Sequence, residues 1–182
     1  EKMKKKILII TIVLFVLLTS LFACNKGKKV DYSDAIKKSA EVATEMDGVM
    51  TVTDGGEVVY KYEINVIMKG TGAAVTTSES QYNSSFVFDT QSSGNEYENY
   101  DRNNFVKINY DESKFTAHVS GDTVSITVSE ENFASVVNAG AYKPSGNTVI
   151  TLVFSGDKLQ SIAMNYLTKT GLNVSVGYTY KY

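Results

Sequence analysis

The 182-residue chain contains no tryptophan, one proline (Pro144), one histidine (His118) and one cysteine (Cys24). A single cysteine excludes an intrachain disulfide framework. One cysteine with one histidine also falls short of the ligand sets that hold zinc. One proline leaves no proline-rich linker. Positive charge is scarce too: 18 Lys+Arg stand against 20 Asp+Glu, a net charge of −2, and no basic footprint for nucleic acid follows from that balance. No Gly-x-Ser-x-Gly elbow accompanies His118, which lies in "KFTAHVS" and reads as a strand histidine facing water or packed at a rim. In "DRNNFVKINYDE", Asp101, Asn103 and Glu112 occupy calcium-loop positions one, three and twelve. Phe105 and Val106 fill positions five and six, where a ligand and a glycine are needed. Asp101 to Asn104 therefore reads as a turn. Tyr97, Tyr100, Glu96 and Glu98 in "NEYENYD" read as ordinary exposed strand residues. No cofactor is implied, and nothing argues for an enzyme.

What the chain does have begins at its start. Lysines at 2, 4, 5 and 6 precede an apolar run from Ile7 to Ala23, the pattern of a secretory signal peptide over residues 1–23. Glu1 and Lys2 precede the first methionine, so translation is expected to begin at Met3. Leu21-Phe22-Ala23-Cys24 resembles a bacterial lipobox, after which the signal is cut and the cysteine acylated. An uncleaved anchor competes with this, but seventeen residues lie at the lower end of what crosses a bilayer. Lysines on both sides of the run also orient it poorly. Cys24 is thus the expected lipid attachment site, with residues 24–30 as tether. Two acyl chains give durable anchoring where one does not. The expected location is extracytoplasmic, lipid-anchored to a bacterial membrane at the cell surface. Cleavage removes one acid and four lysines, leaving 159 residues with a net charge of −5, enough for one domain over 31–182.

After the tether, "DYSDAIKKSAEVATEMDG" predicts a helix from Ser33 to Met46, capped by Asp31 or Ser33 and stopped at Asp47-Gly48. Beyond Val49 the apolar period becomes two. Val58, Tyr60, Tyr62, Ile64, Val66 and Met68 share one face of a strand, and Leu172, Val174, Val176, Tyr178, Tyr180 and Tyr182 share one face of another. Further strands are expected at 73–82, 85–90, 95–100, 104–110, 114–119, 123–129, 148–155 and 159–168. Turn chemistry marks 54–56, 70–72, 92–95, 120–122 and 155–157. Between Ser129 and Asn147 the pattern breaks into a short helical turn or a loop. The expected class is α+β and mainly antiparallel β, a strongly curved sheet or half-barrel of about ten strands. It carries one N-terminal helix and a short helical or loop excursion.

Ten strands about 4.8 Å apart make a sheet roughly 45 Å wide. The helix, about 20 Å long and 10 Å across, covers about a third of its apolar face. At about 25 cal/mol per Å2, wetting the remainder would forfeit many kcal/mol. The sheet must curl, fold into a sandwich or hold something apolar. This layout, with the strand rhythm of "VFSGDKLQSIAMNYLTKTGLNVSVGYTYKY", resembles the LolA/LppX-like lipoproteins. That resemblance implies an unclosed half-barrel around a helix, with an apolar concave face that in some members receives lipid. Two functions fit. One is a membrane-anchored binding module for a lipid or other apolar ligand, lined by Val58, Tyr60, Tyr62, Ile64, Val66, Ile150, Leu152 and Phe154. The alternative is a surface lipoprotein whose packed core is filled by Phe133, Val136, Leu159, Ile162 and the helix. That form would act on an envelope protein as sensor, adhesion or assembly accessory.

Overall fold

A computed structural model describes residues 31–83, 86–137 and 142–182. The predicted signal peptide, Cys24 and the tether lie outside the described residues. Helix α1 spans Tyr32–Val42, and Asp31 caps it by accepting a hydrogen bond from the Asp34 amide at 3.1 Å. It is shorter than the sequence predicts. The chain turns extended at Ala43, and Met46, Asp47 and Gly48 belong to strand β1, Glu45–Asp54. Pairing overrides helical propensity here, because β1 lies between β2 (Glu57–Lys69) and the last strand, β9 (Asn173–Lys181), bonded to both. Gly48 permits the close approach: a Cβ there would meet Ile64 Cγ2 and the Tyr178 ring at 2.7 Å.

The other strands are β3 (Gly72–Asn83), β4 (Phe86–Tyr97), β5 (Phe115–Ser120), β6 (Thr123–Val128), β7 (Thr148–Ser155) and β8 (Lys158–Leu167). All nine form one antiparallel sheet in the order β4-β3-β2-β1-β9-β8-β7-β6-β5, left open between β4 and β5. Nine strands therefore stand where about ten are expected, and three differences account for the change: β1 is not among the expected strands, and two of the expected ones are lost as separate strands. The separate strands expected at 85–90 and 95–100 are one strand, since "SSGN" pairs straight through rather than turning. Hydroxyls hold that stretch, with Thr77 against Ser93 at 2.8 Å and Ser80 against Thr90 at 3.2 Å, and such cross-strand pairs stabilise a ladder modestly. The strand expected at 104–110 is absent. Residues 98–114 instead cross from one edge of the sheet to the other, through a 3-10 turn at Arg102–Asn104 capped by Asp101. The excursion contains a second helix, α2, at Glu130–Val136.

The crossing is dictated by strand order. β4 and β5 are consecutive in sequence yet occupy opposite edges. Eight strand spacings of about 4.8 Å span roughly 38 Å when flat, and seventeen residues extend to about 60 Å. The slack allows the segment to fold down onto the sheet. Phe105 is fully buried and lies 6.1 Å from the Tyr180 ring. Val106 and Ile108 are buried, and Ile108 pairs with Val137 beyond α2. Arg102 donates to the Ala40 and Ala43 carbonyls at 3.0 and 3.2 Å, tying the crossing to the end of α1. The helix packs on β8, where buried Ser39 Oγ accepts from the Leu159 amide at 2.8 Å and donates to the Ala35 carbonyl at 2.7 Å. α2 places Phe133 against Tyr166 at 5.1 Å. One face of the open, half-barrel-like sheet is thus roofed by three pieces of chain, and the core lies beneath them.

Candidate functional site

A single row of paired residues, followed across the inner face, shows where the roof ends. It runs Gln91, Glu79, Tyr62, Met50, Val176, Met164, Ile150, Ile126, Ala117, from β4 to β5. Val176, Met164, Ile150 and Ile126 are buried, Tyr62 and Met50 half-buried, Glu79 and Gln91 exposed. The neighbouring row repeats the pattern, opening with Ser93 and Thr77 before Ile64, Gly48 and Tyr178. The apolar inner face therefore continues past β2 only at the start of β3, where Ala73 is buried and Val75 packs against the core. From Thr77 onward β3, with β4 beside it, forms a wing whose inner side is polar, and β4 is exposed along nearly its whole length.

The eight residues predicted to line a ligand space divide accordingly. Val66, Ile150 and Leu152 are fully buried and Phe154 nearly so, with the Tyr32 ring of α1 5.1 Å from that of Phe154. These four are core residues beneath the roof. Tyr60, Tyr62 and Ile64 are half-buried on the inner side of β2, where the wing begins. Val58 is displaced from that line: a register shift between Val52 and Thr53 sets Val58 opposite Thr53, and Val59 packs against the core in its place. Of the residues proposed to fill the core, Phe133, Val136, Leu159 and Ile162 are all buried.

Two depressions stand out among the described residues. One of about 200 Å3 lies between the crossing segment and α2, lined by Asn103, Asn104, Lys107 and Asn109 among others. Burial there pushes the Lys107 ammonium below its ordinary value. The other, about 270 Å3, is on the outer face, between Thr51, Thr53, Asn165 and Asn173. Both fall below the roughly 300–1,000 Å3 of ordinary small-molecule pockets. His118 is exposed on β5. Among the described residues no group of three or more His, Cys, Asp or Glu could hold a metal ion. No described helix is long and apolar enough to cross a membrane.

The wing concentrates what remains. At its tip three consecutive apolar residues face solvent, Phe86 at 77%, Val87 at 54% and Phe88 at 64% exposure. A register shift between Gln81 and Tyr82 puts Val87 opposite Tyr82 and Phe86 opposite Asn83, so alternation cannot hide all three. Glu79, Asp89 and Gln91 stand on the inner side beside Tyr60 and Tyr62. Burial first, and then the Glu79 carboxylate, push the Tyr60 phenol up to about 12, and Tyr62 rises for the same two reasons. Both rings stay neutral, with polar tips toward the wing. Lys61 is held by Glu63 and Lys69 by Glu96, each at 2.6 Å. Asp54 and Glu57 at the β1–β2 turn, Glu79 and Asp89 have no ion-pair partner among the described residues. Sequence periodicity did not single out Glu79, Asp89 or the Phe86–Phe88 tip. The legible signal was "FVF" itself, since three successive apolar residues in a strand must expose at least one.

No family profile and no curated protein matches the chain. Among solved structures, it is similar to a redesigned beta barrel, mFAP1, described as bound to DFHBI. The two share 10% identity over 78% of this chain and 97% of that one, at a TM-score of 0.26.

Proposed function

We propose that this chain is an extracytoplasmic lipoprotein, tethered to a bacterial membrane through acylated Cys24, whose folded domain acts on an envelope protein through the wing formed by β3, β4 and the adjoining end of β2. The observation that carries this reading is the division of the inner face: filled by the chain's own residues from β1 across to β6, bare over β4 and over β3 beyond Val75. A guest held under the roof would have to displace Phe105, Phe133 or α1. The lipid-carrier expectation is therefore set below the contact reading, which needs no rearrangement.

The position of the wing tip supports the same choice. Tyr32, at the start of α1, rests on Phe154, beside the β7–β8 turn and on the end of the sheet where β4 finishes. Phe86 begins β4 at the other end, about 37 Å away at 3.4 Å per residue. The exposed apolar tip thus stands at the end of the sheet opposite the attachment, where an upright domain presents it away from the bilayer.

Replacing Cys24 by serine should abolish metabolic labelling with fatty acid, and unchanged labelling would remove the anchor from the proposal. For the contact itself, a photo-crosslinking residue at Phe88 should yield a discrete protein adduct on cells of the native host. The same residue at Val149, exposed on the outer face of β7, should not. Native mass spectrometry of the gently extracted chain separates the alternative: stoichiometric bound lipid with no Phe88 adduct would reverse the order of the two readings.

A further inference from the structure

The two free edges of this sheet are unequal. β5 is six residues long, whereas β4 has twelve, "FVFDTQSSGNEY", exposed on both faces. Exposed edges are commonly blunted by lysine, by proline or by shortness. β4 has no lysine, no arginine and no proline, and its one irregularity lies at the tip, leaving Asp89 to Tyr97 in regular pairing with β3. The outward backbone groups of this stretch meet no other strand among the described residues. Such an edge is a template for an added strand, with main-chain hydrogen bonds supplying affinity and alternate side chains supplying selectivity.

Charge identifies the occupant. The only charged side chains on β4 are Asp89 and Glu96, and the latter is already paired to Lys69. Glu79 adds a further exposed carboxylate on the inner side, and Asp54 and Glu57 stand exposed at the next turn. A second copy of this chain would bring acid toward acid. A basic segment would meet Asp89 directly and Glu79 across about 10 Å of sheet. Resting on the reading proposed above, we infer that β4 is a docking edge for an extended, lysine- or arginine-bearing segment of another polypeptide. That segment adds as a tenth strand, its cationic side chains on the inner side over Asp89 and Glu79. Its alternate residues then lie on the outer side, beside the hydroxyls of Thr90 and Ser92.

The test uses the full chain in detergent micelles and a synthetic ten-residue peptide of alternating lysine and threonine. A glutamate–threonine counterpart and a lysine–threonine peptide with a central proline serve as controls. Fluorescence anisotropy should show saturable binding of the first alone. Amide exchange should slow in β4 and not in β5. The double variant Glu79→Gln/Asp89→Asn should weaken binding roughly tenfold, and added salt should weaken it further. Equal binding of both peptide signs, unchanged exchange in β4, or equal affinity of the variant would overturn the inference. So would self-association of the chain that protects β4 without peptide. If the peptide fails while the Phe88 adduct on cells persists, the docking chemistry is wrong and the contact reading stands. Loss of both removes both.

Discussion

Truncating Phe105 to alanine tests whether the inner face is closed. Phe105 sits midway along the crossing segment, fully buried, its ring 6.1 Å from that of Tyr180 and flanked by buried Val106. If the segment is part of the core, the change removes a whole buried ring and leaves a void that the β1 and β9 backbones, bonded to each other along their length, cannot collapse to fill. Buried Phe→Ala changes cost about 3–5 kcal/mol, a large share of the 5–15 kcal/mol typical of a domain. In a domain near this size each kcal/mol moves Tm by about 2–4 °C, so the fall should be on the order of 10 °C. Phe88→Ala is the matched control, the same chemistry at an exposed site, and should stay within about 0.5 kcal/mol. Urea unfolding followed by circular dichroism reads both. A Phe105→Ala cost below about 1 kcal/mol, with an unchanged denaturant slope, would refute the reasoning. The crossing segment would then open separately from the domain, and the inner face would be accessible to an apolar guest after all.

Two further outcomes follow from the same packing. Ser39→Ala removes the acceptor of the buried Leu159 amide, and leaving such a donor unpaired should cost about 1–3 kcal/mol. Faster amide exchange at Leu159 and along α1 would mark the loss, and an unchanged rate would show that the helix is docked by its apolar side alone. Stability should also fall at high pH. Burial first, then Tyr178 and Tyr142, push the Tyr166 phenol from 10.0 up to about 12, so between those values the unfolded chain has released a proton that the folded one retains. Unfolding is therefore favoured as pH rises through that window. With partial solvent screening, the Tyr166 share is roughly 1–2 kcal/mol. Tyr166→Phe should flatten the loss between pH 10 and 12, and an unaltered slope in urea titrations at several pH values would assign it elsewhere.

The strands were legible where one face is buried and the other wet. β2 and the run from β6 through β9 follow their alternation within a residue or two, because burial of one face fixes the register. The expectation misses β1, whose first residues continue the helical spacing of α1, and it misses the places where that one-sided environment ceases. β4 faces water on both sides, so its composition is polar and turn-like although its backbone pairs for twelve residues, and "SSGN" carries turn chemistry inside a paired strand. Residues 104–110 failed in the opposite sense. Phe105, Val106 and Ile108 are apolar enough for a strand, but they bury against the inner face as roof, and what places them there is strand order.

That one omission shaped the functional expectation. A single helix is too small to cover the inner face, and that deficit alone leaves a guest and an internal filling both open. Strand order resolves the deficit internally: a meander whose fourth and fifth strands lie on opposite edges must carry a connection across the sheet, and the connection brings its own apolar side chains. At β4 the chain leaves an edge free. Lipid occupancy and edge docking therefore make opposite demands on this domain, one that residues 98–114 come away and the other that they stay. The Phe105→Ala unfolding curve distinguishes those demands before any ligand is known.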